Sequence, residues 1–227
     1  MKIIRVNKNS QNIAINKAVR IIRNGGVVVY PTETAYGLGA DFLNPQAVRK
    51  IYQIKGRNYK KPLSVIVSSF KMAKELVKFN QISLKLAKKY WPGALTLILN
   101  SEFRISNEFL ITKFRNHFKI KNSKFNQNSK LEIDNYKTLG LRISSNKLAT
   151  SIVRKFGRPI TATSANVSGK GECFSAAAVI SQFKNRKYQP DLVIDIGKLP
   201  KRQMSTIVRV IDNQIEIVRK GAVKLKS

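Results

Sequence analysis

Residues 26–62 read GVVVYPTETAYGLGADFLNPQAVRKIYQIKGRNYKKP, and this stretch decides the fold. The apolar run Val27–Tyr30 predicts a strand that is buried on both faces, as in parallel sheets. Pro31–Gly39 is predicted to be a loop, and Asn44 is predicted to cap a helix that begins at Pro45. Because strand, loop and helix follow one another in this order, the stretch indicates an α/β fold.

The same alternation of strands and helices continues along the rest of the chain. Further strands are predicted at Leu63–Val67, Leu95–Leu99, Leu139–Ile143, Pro159–Thr163 and Leu192–Asp195, with a hairpin at Thr206–Val218. Residues 101–137 are rich in Lys and Asn and lack periodicity, which predicts a surface insertion. We therefore predict one α/β domain over residues 1–227, with helices packed on a sheet.

Composition narrows the class of protein. The chain has 227 residues, 43% of them apolar, which suffices for a core. No run approaches the roughly 18 apolar residues of a membrane span, and the single Cys173 excludes an internal disulfide. We therefore expect a soluble, cytoplasmic protein with no membrane partner. The formal charge of +31 favours polyanion partners, although Lys and Asn enrichment through compositional drift explains the charge equally well.

A cluster of cations follows the predicted helix. Lys55 and Arg57 flank Gly56, and Lys60 and Lys61 come next. Arginine binds two phosphate oxygens at once and lysine acts as a point charge, so the cluster could clamp a triphosphate. A solvated basic loop is the alternative explanation.

Hydroxyl and amide side chains follow two of the predicted strands. Thr32 and Thr34 lie after the first strand, and Ser164 and Asn166 lie after the strand at Pro159–Thr163. In open α/β sheets, ligands bind at the carboxyl ends of strands. Both segments could therefore contact a ligand, although ordinary turns are the simpler explanation when each segment is considered alone.

Other candidate residues indicate how an enzyme of this sequence would work. Arg142 and Arg219 each end a predicted strand, where either could bind a carboxylate or phosphate or simply lie on the surface. The only histidine, His117, falls in the predicted insertion, and no histidine lies near Cys173 in sequence to activate it. Positioning and charge neutralisation are then the expected means of catalysis, which suits phosphoryl or nucleotidyl transfer.

Taken in order, several segments resemble the YrdC-domain family, the threonylcarbamoyl-AMP synthases. The matching pieces are GGVVVYPTETAYGLGAD (25–41), KGR (55–57), KPL (61–63), WPG (91–93), LGLRI (139–143), TATSANVSG (161–169), STIV (205–208) and VRKG (218–221). Each piece alone is a weak signal, but the ordered set spans nearly the whole chain. The resemblance implies a twisted mixed sheet with flanking helices and a concave basic face.

The resemblance also implies an activity and roles for individual residues. It implies L-threonylcarbamoyladenylate synthesis from L-threonine, bicarbonate and ATP, with release of pyrophosphate. The implied catalytic residues are Lys55, Arg57, Ser164 and Asn166, which also bind ATP together with Lys61 and Arg219. The implied threonine-binding residues are Thr32, Thr34, Arg142 and Ser205. Mg²⁺ is implied as the cofactor, held mainly through the ATP phosphates and by no dedicated cluster of metal ligands.

Partners and alternatives follow from the same resemblance. The product would pass to a tRNA threonylcarbamoyl-transferase complex, and direct contact with tRNA is a further expectation. A non-catalytic RNA-binding module of the same fold is the alternative, while a carbamoyltransferase of the hydrogenase-maturation type would need zinc-finger cysteines. The chain stops soon after Arg219, as in the short, single-domain form of the family.

Two departures from the family pattern bear on the site. Asn58 stands where the family usually has proline, which predicts a less rigid loop after Arg57. Ser144, Ser145 and Asn146 replace a proline-containing segment after Arg142.

Overall fold

The described part of the chain folds around one mixed sheet. The structure is a computed structural model that describes residues 1–7, 9–101 and 137–225. Nearly all of the predicted insertion at 101–137 lies outside these residues. The strands are β1 (Lys2–Arg5), β2 (Val28–Pro31), β3 (Tyr36–Gly39), β4 (Ser64–Ile66), β5 (Leu95–Asn100), β6 (Thr138–Arg142), β7 (Ile160–Ser164), β8 (Leu192–Asp195), β9 (Thr206–Ile211) and β10 (Gln214–Arg219).

Strand order brings distant parts of the sequence together. The ten strands run in the order β1-β8-β2-β3-β7-β4-β6-β5-β9-β10. Strand β3 pairs with β7 in antiparallel orientation, with Gly37 opposite Ser164. Strand β4 pairs with β6 in parallel, with Ile66 opposite Arg142. The turn after β2 therefore lies beside the end of β7, whereas β6 runs antiparallel to β7, so Arg142 lies level with Ile160 at the start of β7.

The prediction that Pro31–Gly39 is a loop is wrong for Tyr36–Gly39, which forms strand β3. Only residues 32–35 form a turn, and Tyr36–Gly39 pairs with β2. The two glycines lower the strand propensity of this segment, yet packing requires them. A Cβ atom on Gly39 would lie 2.6 Å from the ring of Tyr30. Glycine therefore lets the buried tyrosine lie flat across β3.

The helices pack on the sheet through their apolar residues. They are α1 (Gln11–Arg23), α2 (Pro45–Lys55), α3 (Phe70–Lys74), α4 (Gln81–Tyr90), α5 (Lys147–Phe156) and α6 (Ala176–Phe183). Helices α1 and α5 contribute to one buried apolar cluster, and α2 and α6 contribute to a second. Asn44 accepts hydrogen bonds from the backbone at the start of α2, as predicted. None of the helices in the described ranges is both long enough and apolar enough to cross a membrane.

Candidate active site

A cleft of about 470 Å³ opens where the loop after β2 meets the loop after α2 and strands β6 and β7. Its volume falls within the usual range of small-molecule sites. No carboxylate of the described residues lines it, whereas six cationic side chains do. These are Arg57, Lys60, Lys61, Arg142, Arg209 and Arg219. The lining therefore suits an anionic ligand.

Lys55 lies behind the wall of this cleft. Helix α2 ends at Gly56, whose φ of 59° is a left-handed conformation that glycine adopts readily. Lys55 is 2% exposed, and its Nζ donates to Ser164 O (2.5 Å), Asn166 O (2.8 Å) and Asn166 Oδ1 (3.0 Å). An ammonium has three donors, so all of them are used. Burial, and to a smaller extent the charge of Arg57, lower the pKa of Lys55 to about 8.

Arg57 shapes the loop that carries the next two cations. Its Nε donates to Lys61 O (3.2 Å) and its Nη2 donates to Pro62 O (3.0 Å). Asn58 Oδ1 accepts a hydrogen bond from Lys60 N (2.8 Å), which closes the turn at the position where the resemblance leads us to expect proline. The loop is therefore held by side-chain hydrogen bonds from Arg57 and Asn58.

The Ser164–Asn166 turn follows β7, and its first residue, Ser164, lines the cleft. Ser164 Oγ donates to Asn166 Oδ1 (2.6 Å), and Asn166 Nδ2 donates to Lys170 O. Lys55 binds the same turn from behind. The structure thus brings Lys55 together with Ser164 and Asn166, which the resemblance assigned to one site, although they are more than 100 residues apart.

Thr32 and Thr34 form a compact turn between β2 and β3. Thr32 Oγ1 accepts from the backbone N–H groups of Thr34 and Ala35, both at 3.2 Å. It also lies 3.0 Å from Thr34 Oγ1. Both threonines are buried yet contribute to the cleft lining. Turn capping and ligand contact are therefore compatible here: Thr32 caps the turn while both residues face the cleft.

Arg142 is paired with a carboxylate that sequence reasoning missed. Its Nη1 lies 2.7 Å from Glu33 Oε1, and the side chains are 9% and 8% exposed. Ser144 Oγ donates to the other oxygen of Glu33. The pattern PTET placed Glu33 between two candidate threonines, but no sequence spacing linked it to Arg142.

Ser205 and Arg219 close the opposite side of the cleft. Arg219 donates to Ser205 O through Nε (3.1 Å) and Nη2 (2.8 Å). Ser205 Oγ also lies 3.0 Å from Thr96 Oγ1, a second residue that the sequence analysis did not select. A shift in register between Ile217 and Arg219 interrupts the pairing of β10 with β9.

All ten of the predicted site residues therefore converge on this region. Eight line the cleft, and Lys55 and Asn166 support its wall from behind. Cys173 is buried, and burial raises the pKa of its thiol to about 11, which agrees with an unreactive thiol. The prediction for His117 lies outside the described residues.

A mixed sheet with a cation-lined cleft over one of its faces defines an α/β protein suited to small anionic ligands. Over residues 20–221 the chain matches the model of the Sua5/YciO/YrdC family, whose description reads "Telomere recombination". The chain belongs to the Sua5/YciO/YrdC family.

Three relatives cover most or all of this chain. A Methanocaldococcus jannaschii protein, provisionally named as a threonylcarbamoyl-AMP synthase, is 31% identical, and the match covers 100% of this chain and 94% of that protein. Threonylcarbamoyl-AMP synthases of Pyrococcus abyssi and Bacillus subtilis are 30% and 31% identical. Those matches cover 99% and 92% of this chain but 58% and 54% of the relatives. The chain thus spans little more than half the length of these two relatives.

Solved structures support the same fold. The P. abyssi Sua5 protein in complex with L-threonine aligns with a TM-score of 0.78 at 30% identity, covering 97% of this chain and 58% of that one. E. coli YciO aligns with a TM-score of 0.76 at 24% identity, covering 99% and 97% of the two chains. The predicted mixed α/β fold with flanking helices is confirmed.

Proposed function

We propose that this protein is a threonylcarbamoyl-AMP synthase. It would make threonylcarbamoyl-AMP and pyrophosphate from L-threonine, bicarbonate and ATP. The observation that carries the proposal is the convergence of Arg57, the Ser164–Asn166 turn, Thr34 and Arg142 on one cleft. The names of the relatives support this enzymatic hypothesis over that of an RNA-binding module without catalysis.

The proposed chemistry matches the charges of the cleft. The threonine amine forms a bond to the carbon of bicarbonate and water is lost, which gives a carbamate. A carbamate oxygen then attacks the α-phosphorus of ATP, and the bond from that phosphorus to the pyrophosphate oxygen breaks. Both reactants are anions, so their repulsion must be reduced before they can approach. Arg57, Lys60 and Lys61 would bind the phosphates, while Thr34 and Arg142 would hold the amino acid. Catalysis then rests on positioning and charge, without a histidine base.

Mg²⁺ is proposed to enter with ATP and to neutralise phosphate charge. Among residues 1–7, 9–101 and 137–225, no group of three or more His, Cys, Asp and Glu side chains could hold a metal ion. Ser164 supplies a neutral hydroxyl oxygen to the cleft lining, whereas Asn166 Oδ1 accepts from Ser164 Oγ and Lys55 Nζ behind it. Such a site fits Mg²⁺, which takes oxygen ligands and often keeps only one or two protein ligands beside substrate phosphates.

The test is pyrophosphate release by the purified protein with Mg²⁺, ATP, L-threonine and bicarbonate. Release is expected only when all substrates are present, and mass spectrometry should detect threonylcarbamoyl-AMP. Release that does not depend on threonine would indicate simple ATP hydrolysis. No release at all would refute the proposed synthase activity.

The product is proposed to pass to a separate tRNA threonylcarbamoyl-transferase complex. A mixed anhydride of a carbamate and a phosphate is an activated acyl donor, so a transfer step must consume it. The basic cleft makes direct contact with tRNA a further part of the proposal.

A further inference from the structure

The Glu33–Arg142 pair lies beside the proposed amino-acid site. Arg142 lines the cleft, but Glu33 does not. The carboxylate lies behind the guanidinium, with Oε1 2.7 Å from Arg142 Nη1. Among the described residues no other acceptor binds the Arg142 guanidinium. Nη1, on one edge of this guanidinium, is therefore bonded to protein, and the side chain also lines the cleft.

The position of Glu33 is set by two independent features of the fold. Glu33 lies inside the turn closed by Thr32, where Thr32 N donates to Ala35 O (3.2 Å) and Thr32 Oγ1 donates to the same oxygen (2.7 Å). Its second carboxylate oxygen accepts from Ser144 Oγ, and Ser144 is 1% exposed. Asn146 N donates to Ser144 Oγ (3.2 Å) and so orients that hydroxyl. The carboxylate is therefore held from both sides.

We propose that Glu33, held by Ser144, is a positioning residue of the amino-acid site. It fixes one edge of the Arg142 guanidinium and leaves the remaining N–H groups directed at the substrate carboxylate. The inference rests on the proposed function, since it names how that same site selects an amino acid.

Preorganisation and charge both favour this role. A free arginine side chain samples many rotamers, and ordering it on binding costs affinity. A planar guanidinium that is already held on one edge presents its other donors in the geometry that a carboxylate needs. Glu33 also cancels the charge of Arg142 locally. The pair is therefore suited to one more carboxylate and less suited to a triphosphate.

The variant Glu33→Gln tests the proposal because it keeps the side-chain shape and removes the charge. We expect the Kd for L-threonine, measured by calorimetry without ATP, to rise at least about tenfold. The KM for threonine should rise in parallel, while the KM for ATP stays within about twofold. A loss of binding confined to one substrate separates positioning from general structural damage.

Two further variants distinguish loss of the positioning role from general structural damage. Ser144→Ala removes only one of the two contacts of Glu33 and should raise the threonine Kd by about threefold. Asp41→Asn is the matched control, because Asp41 forms another buried pair, with Arg158 (3.1 Å), away from the cleft. It should lower thermal stability without changing either KM.

A double variant tests whether Glu33 acts through Arg142. Arg142→Gln alone should weaken threonine binding, and adding Glu33→Gln should cause little further loss. Unchanged threonine binding in Glu33→Gln, or equal rises in both KM values, would overturn the positioning role. Failure of the unmodified protein to bind threonine would instead refute the proposed function, and the positioning role with it.

Discussion

The two sides of the cleft use their cations in different ways. On the phosphate side, the acceptors that Lys55 and Arg57 find among the described residues are all neutral: backbone carbonyls and an amide oxygen. On the amino-acid side, Arg142 is paired with the Glu33 carboxylate. Neutral acceptors fix a cation in place without cancelling its charge, whereas a carboxylate does both. The phosphate side therefore keeps a net positive charge for a polyanion, and the amino-acid side presents an oriented, locally neutral arginine.

The largest effects should come from removing the phosphate-side cations. Lys55→Ala and Arg57→Ala are each expected to lower the rate of pyrophosphate release at least about tenfold. Each loses positive charge, and the first also frees the Ser164–Asn166 turn. Arg49→Ala removes an exposed cation from the same helix α2 and should leave the rate unchanged. The Kd for threonine should stay constant in all three variants. A higher Kd for threonine in Lys55→Ala would contradict the separation of the cleft into a phosphate side and an amino-acid side.

An intermediate effect is expected from pH. Burial and the charge of Arg57 lower the pKa of Lys55 to about 8, and only the ammonium form can donate three hydrogen bonds to its turn. The protonated form is then the active one, so kcat/KM for ATP should fall as pH rises through about 8. This parameter reports groups of the free enzyme. A flat profile between pH 7 and 9 would contradict the assignment.

The smallest effect should come from Lys60. Its side chain lines the cleft and is exposed, and its ammonium donates to no acceptor among the described residues. Lys60→Ala should raise the KM for ATP about threefold at low ionic strength. The difference should shrink at high salt, because exposed charges are screened. A salt-independent loss would show that Lys60 makes a closer, desolvated contact than the structure indicates.

Sequence reasoning located most elements because they follow from local patterns. Helix α2 begins at Pro45 and strand β8 spans Leu192–Asp195, both as predicted. The loop prediction for Pro31–Gly39 was wrong because the strand propensity of Tyr36–Gly39 is low. Packing of the Tyr30 ring against the glycines of this segment explains why it forms a strand. Local propensity cannot report such a contact between neighbouring strands.

The candidate site shows the same division. Motif residues such as Lys55 and Ser164 could be selected from the sequence because their types and spacing suit phosphate binding. The hydrogen-bond partners of these residues could not be predicted from the sequence. Lys55, for example, was expected to face a ligand, but its ammonium donates all three hydrogen bonds to protein. Glu33 was missed for a related reason: its partner Arg142 is 109 residues away.

The sequence by itself determined the α/β alternation, the cation cluster after α2 and the identity of the residues that meet at the cleft. These follow from periodicity, capping and side-chain chemistry, all of which act over a few residues. Only the tertiary structure decided which cation keeps its charge and which is neutralised. That choice depends on strand order, because β7 brings Ser164 to Lys55, and the turn after β2 brings Glu33 to Arg142.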